Sequence, residues 1–190
     1  MKILFLCIVA IGALATEVLA QAPDLRGAIK LGKVELAGVK SPEFMINGGP
    51  QKRSKVGTWL EAEVEYETKA EDIDELTFDY YIEVDVSAQD KRLLTGTVTY
   101  INIPKGREHY AVMYIPPRTL EKLAGAKPPG SNVAGAWVTV SHLGQVLDQA
   151  GFKLTGKPNL PQAANAVLNK NETPFAPLFY DRYETIKVTK

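Results

Sequence analysis

The chain has 190 residues with 22 basic and 22 acidic side chains, and 45% of it is hydrophobic. That length suffices for one core, or for one domain with an extension. The even charge balance excludes a protein that holds nucleic acid or an anionic membrane by bulk basicity.

The first twenty residues, MKILFLCIVAIGALATEVLA, carry one basic residue at Lys2, an apolar run from Ile3 to Leu14, and Val18-Leu19-Ala20 ahead of Gln21. This is the pattern of a secretory signal cut after Ala20, which predicts an exported protein: periplasmic, surface-bound or secreted. The apolar run falls short of the roughly 20 residues a membrane-spanning helix needs, so no stable anchor is expected after cleavage. Gly12 followed by Glu17 resembles the processing site of type IV prepilins. However, Gln21-Ala-Pro-Asp24 ends the apolar segment at once, and no filament-core helix would remain. The only cysteine, Cys7, lies inside the signal, so the mature chain is expected to have neither a disulfide nor a cysteine metal site.

Period-two alternation with turn residues between the runs predicts an all-β protein of seven antiparallel strands from residue 28 to residue 154. The first covers Ala28 to Val39. It is followed by a loop in which Asn47-Gly-Gly-Pro50 must turn. The second, Val56 to Tyr66, sends Leu60, Ala62, Val64 and Tyr66 inward, and the third, Leu76 to Val86, does the same with Phe78, Tyr80, Ile82 and Val84. Leu93 to Ile103, Glu108 to Ile115, Ala134 to His142 and Gln145 to Leu154 supply the rest, the last two joined by a hairpin at Leu143-Gly144. Between the fifth and sixth strands, Pro116 opens a short crossover helix in which Leu120 and Leu123 share a face and Gly125 caps the end. The order reads as an immunoglobulin-like sandwich over residues 21 to 155, with Trp59 and Trp137 as candidates for the space an inter-sheet disulfide would fill.

Residues 156 to 190 read differently. A proline-containing linker runs to Pro161, Gln162 to Leu168 has the look of a two-turn helix, and Thr173-Pro-Phe-Ala-Pro-Leu-Phe-Tyr-Asp-Arg-Tyr183 is expected as a C-terminal extended segment. Two fates suit its rings: packing over an edge of the sandwich, or insertion into a partner as a recognition peptide. Phe175, Phe179, Tyr180 and Tyr183 are the candidate contacts.

Charge is concentrated in one place. Residues 61 to 90 hold twelve acids against Lys69 alone, beginning with Glu61, Glu63, Glu65 and Glu67 in alternation. Paired directly with the third strand, these would face Asp79, Glu83 and Asp85, an arrangement that opposes like charges. The second strand is therefore expected between the first and the fifth, with Lys30, Lys33, Arg107 and His109 as outward basic neighbours. The glutamate row then serves as a solvated face, or as a docking face for a basic partner. Glu71-Asp-Ile-Asp-Glu75 clusters hard oxygen ligands but lacks the spacing of a calcium loop.

No reaction centre is legible. His109 and His142 lie on different strands, no serine sits in a nucleophile elbow, and no glycine loop cradles a phosphate. The carboxylates needed for glycoside hydrolysis are abundant, yet most fall at water-facing strand positions where nothing would raise a pKa. A carbohydrate-binding module is the other alternative, with Tyr81 as an outward platform and Trp59 and Trp137 as further candidates. No cofactor or metal is expected. Asn171-Glu-Thr173 matches a glycosylation sequon, to which the bacterial look of the signal gives little weight.

The signal, the seven alternating strands and above all the ending TPFAPLFYDRYETIK resemble a family of secreted immunoglobulin-like proteins encoded beside type IV pilus assembly genes in Gram-negative gut bacteria. The resemblance implies a non-enzymatic envelope role in pilus assembly or host contact, through a protein partner of the envelope or host surface. It supplies no functional residues.

Overall fold

The computed structural model describes residues 25–44, 48, 56–70, 72–124, 131–164 and 166–188. The expected signal sequence, Cys7, Glu71, the expected helix cap at Gly125 and the Asn47–Pro50 turn apart from Gly48 lie outside them. Seven long strands dominate: β1 (Ile29–Lys40), β2 (Thr58–Thr68), β3 (Ile73–Asp85), β4 (Lys91–Ile103), β5 (Gly106–Ile115), β6 (Val133–His142) and β7 (Gln145–Phe152). A helix, α1 (Pro117–Ala124), stands between β5 and β6, and three two-residue strands follow β7: β8 (Gln162–Ala163), β9 (Leu168–Asn169) and β10 (Thr185–Ile186).

The strands form two sheets packed face to face, ordered β1-β2-β5-β9 and β10-β4-β3-β6-β7. All seven long strands pair antiparallel. This is an immunoglobulin-like sandwich in which β4 joins β3 in the second sheet. As the charge argument requires, β2 lies between β1 and β5 and makes no ladder with β3. Four of the twelve acids thereby stand on β2 and five on β3, in different sheets.

Alternation explains the core. Leu60, Ala62, Val64 and Tyr66 from β2 meet Phe78, Tyr80, Ile82 and Val84 from β3, joined by Val98 and Tyr100, and Ala136, Val138 and Val140. Tyr66 and Phe78 rings lie 5.1 Å apart, and Phe78 meets Tyr100 edge-on at 5.8 Å, an arrangement aromatic quadrupoles favour. The two turns of α1 drop Leu120 onto this layer. Gly106 is needed where it stands, because a Cβ there would come within 2.6 Å of the His109 ring.

The buried tyrosines set an alkaline limit on the fold. Burial pushes the phenols of Tyr66, Tyr80, Tyr100 and Tyr114 well above their ordinary value. Below about pH 10 both folded and unfolded chains keep these protons, so the groups add no pH dependence. Above it the unfolded chain releases them and the folded chain does not, and stability falls with rising pH. Thermal melting followed from about pH 8 to about pH 11.5 should show the midpoint dropping steeply above about pH 10. A flat profile would mean that the tyrosines ionise in place.

The sequence-based helix at Gln162 to Leu168 is not formed. Gln162 and Ala163 instead run parallel to Leu93 and Leu94 of β4. Pro161 precedes them and its carbonyl accepts from the Leu93 amide at 2.9 Å, so the chain is held extended before a helix can start. Neither tryptophan sits between the sheets. Trp59 belongs to a second cluster on the outer face of the first sheet, and Trp137 is half-buried, paired in register with Tyr81 of β3. His109 also faces the other way from expectation. It pairs with Tyr66, is buried, and stacks on that ring at 5.1 Å.

Candidate functional site

The segment after β7 forms a strap along one side of the sandwich. β9 pairs with Met113 and Tyr114 of β5, Tyr183 bridges Tyr110 of β5, and β10 pairs with Tyr100 and Ile101 of β4. The strap thus fills the edges of both sheets on that side, where β5 and β4 would otherwise present unpaired backbone groups. On the opposite side β1 runs along β7, and the Leu31 amide donates to Asp148 Oδ2 at 2.7 Å.

Local chemistry holds the strap's shape. Asn169 caps a short turn at Lys170–Glu172, and the Glu172 carboxylate accepts from the Asn169 amide at 2.9 Å. Thr173 Oγ1 donates to the Lys170 carbonyl at 2.7 Å and accepts from the Phe175 amide at 3.2 Å, which buries this threonine of the sequon inside the turn. Lys170 is itself buried. Its ammonium donates to the Ala176 carbonyl at 2.9 Å, and burial lowers its pKa.

These turns deliver Phe175 to the outer face of the first sheet. Its ring stacks on Tyr114 with centroids 4.6 Å apart and planes 11° from parallel, and meets Trp59 edge-on at 5.7 Å. Val112 completes the buried set, with Val39, Leu168, Leu178 and Tyr183 packed around it.

The glutamate row lies beside this cluster, with all four residues half-buried. Glu67 is in register with Lys30, and Glu65 stands opposite the irregularity between Leu31 and Val34. Glu63 faces another acid, Glu35, across the β1–β2 ladder. Two cations resolve that conflict. Lys33 approaches Glu35 to 2.5 Å, and Arg182 from the strap grips Glu63 with Nε at 3.1 Å and Nη2 at 2.6 Å. The Tyr183 hydroxyl donates to the same carboxylate at 2.5 Å, while the Arg182 guanidinium lies 3.6 Å from the centre of the Tyr110 ring. Arg107, expected beside the row, lines a shallow depression with Lys30, Glu65 and Glu67.

Glu61 is treated differently. Burial, with Glu63 close by, raises its carboxyl above the usual range; Arg182 and the Tyr114 hydroxyl pull the other way. That hydroxyl is buried beside Glu61, its neighbour across the β2–β5 ladder. A cavity of about 520 Å³ opens here, lined by Glu61, Glu63, Phe175, Leu178, Phe179 and Tyr183 among others.

The strap's other two candidates point outward. Phe179 is 53% exposed and Tyr180 is 84% exposed. Phe179 also adopts φ of 53°, a left-handed backbone that costs a bulky non-glycine residue roughly 1 kcal/mol or more. The four aromatic candidates therefore divide: Phe175 and Tyr183 hold the strap down, and Phe179 and Tyr180 are presented. In the Glu71 to Glu75 stretch, Glu75 is engaged by Lys187 of the strap, and no group able to hold a metal ion occurs among the described residues.

The far face of the sandwich carries Tyr81 beside Trp137, with the Lys157 ammonium 3.9 Å from the centre of the Tyr81 ring.

A protein-family model matches residues 20–190 of the chain. A crystal structure of a protein from Akkermansia muciniphila is similar to it with a TM-score of 0.75 and 27% identity, covering 85% of this chain and 94% of that one. No curated protein matches it significantly.

Proposed function

The chain belongs to the family whose model spans residues 20–190, and on that premise we propose that it is a non-enzymatic, exported binding protein of the bacterial envelope, working in pilus-associated assembly or host contact. One observation carries the reading: a strap clamped at Phe175, Arg182 and Tyr183 holds Phe179 and Tyr180 out to solvent, the first in a strained backbone conformation. Local strain persists only where the surroundings enforce it, and it tends to mark positions with a task. Two exposed aromatics side by side at the rim of a groove are the anchors that protein interfaces favour. The similarity to a protein from a gut bacterium supports a bacterial setting, and the signal-like N-terminal pattern supports export.

The test is crosslinking capture from the native envelope with the full-length chain as bait. The Phe179→Ala/Tyr180→Ala variant should melt within about 1 °C of the parent, since the lost rings bury little, and should lose the captured protein. Capture unchanged in that variant would remove the aromatic corner as the interface.

The second reading is a carbohydrate-binding module, favoured by the adjacent rings of Tyr81 and Trp137 on the far face. Lys157 already covers Tyr81, which leaves that platform narrower than the aromatic corner is prominent. Recovery of glycan without protein in the same capture would reverse the order.

A further inference from the structure

Glu63 shows what this surface does with a cation. Its carboxylate takes a bidentate arginine, Arg182, whose guanidinium also lies on the Tyr110 ring. Charge, planarity and an aromatic face are satisfied together, the combination for which arginine is suited.

Two positions along the same strand, Glu61 lines the same groove as Arg182 and feels its charge without pairing with it. No basic group lies within ion-pair distance of it among the described residues. Lys40 lines the same groove but directs its ammonium to Thr58 Oγ1 at 2.8 Å. Beside Glu61, Tyr114 is fully buried and so supplies an apolar floor rather than a second free group. The groove therefore ends in a half-buried carboxylate without a paired cation, between walls of Phe175, Leu178, Phe179 and Tyr183. Burial keeps the Glu61 carboxyl above its usual range, the condition an absent counter-charge leaves behind.

Resting on the binding reading above and deepening it, we propose that this groove receives a cationic side chain, arginine in preference to lysine, from an extended segment of the protein partner, with Glu61 as the carboxylate that pairs with it. The aromatic walls bind the flat guanidinium and its methylene stem, and Phe179 closes over the outside. The charge complementarity is local: of the two carboxylates in the groove, Glu63 is already neutralised from within the chain and Glu61 is left for the partner.

The probe is a capped Gly-Arg-Gly peptide, with its citrulline counterpart as the uncharged isostere, followed by amide chemical shifts of the full chain at low salt. The arginine peptide should shift amides around Glu61 on β2 and around Leu178 to Tyr183 in a saturable way. Citrulline should bind at least tenfold more weakly, and so should the arginine peptide to a Glu61→Gln variant. That variant should melt at or slightly above the parent temperature, because the amide removes a poorly solvated charge. Equal binding of citrulline, equal binding to Glu61→Gln, or no localised shifts would overturn the proposal. If the arginine peptide fails while envelope capture still depends on Phe179 and Tyr180, this inference falls and the binding reading stands. If the peptide binds as described and capture ignores both rings, the reverse holds.

Discussion

Replacing Phe175 by alanine should be the most damaging single substitution in the strap. The ring is 5% exposed and is held by stacking on Tyr114 and by an edge contact to Trp59, so its loss leaves a cavity roofed only by the thin turn around Thr173. Buried phenylalanine truncations cost about 3–5 kcal/mol. For a chain of this size that is a fall in melting temperature of about 6–20 °C. Trp59 reports directly, because uncovering it should shift its emission to the red while the inter-sheet core stays intact. A fall of under about 2 °C with unchanged emission would mean that the strap is not docked in solution.

The second large effect is expected at Gly96→Ala. In an exposed strand this change would be neutral or favourable, since glycine weakens strands. Here the added carbon would stand 2.4 Å from the Val167 carbonyl oxygen and 2.8 Å from both Val167 Cβ and Met113 Cε. Met113 can move, but the carbonyl belongs to the strap's backbone just ahead of β9, so relief requires the strap to shift. Overpacking of this kind costs about 1–3 kcal/mol, and the cost should be localised. Amides from residue 166 to residue 172 should lose hydrogen-exchange protection, while those of the β3–β4 ladder keep theirs. Uniform loss across both sheets would show that the strap is coupled to the whole fold.

The seven long strands were legible because each is half-buried, and a half-buried strand writes its inward face into every second residue. The division of the acids between two sheets was legible for a related reason: a whole row of like charges facing another across a ladder is destabilising, so β2 and β3 were expected to part. The strap's pairings were not legible, since a two-residue strand is too short to show a period and β8 is set by its neighbour in space.

Parity did hold unused information. With Leu60 and Ala62 facing inward, Trp59 had to face outward. The stretch Tyr110-Ala-Val-Met-Tyr-Ile115 is apolar at both parities, the mark of a strand covered on both faces. Read that way, Val112 and Tyr114 called for a second layer outside the first sheet, and the aromatic ending was the only segment able to supply it. His109 was misplaced for the opposite reason. A histidine reads as polar, yet its ring fits against Tyr66 while Nδ1 meets Glu184 at 3.1 Å, an acid 75 positions away that no local pattern predicts. Arg182 is the same case for Glu63, at a separation of 119 residues.

The placement of the strap has a consequence for how the chain comes into being. Its pairing residues, from Gln162 to Ile186, leave the ribosome after all seven long strands, yet they cover surface contributed by Trp59, Val112 and Tyr114, made long before. Until then the nascent sandwich has one aromatic face bare and two lateral edges open. Those are the features that invite chaperones and aggregation alike, and they disappear only when the strap arrives.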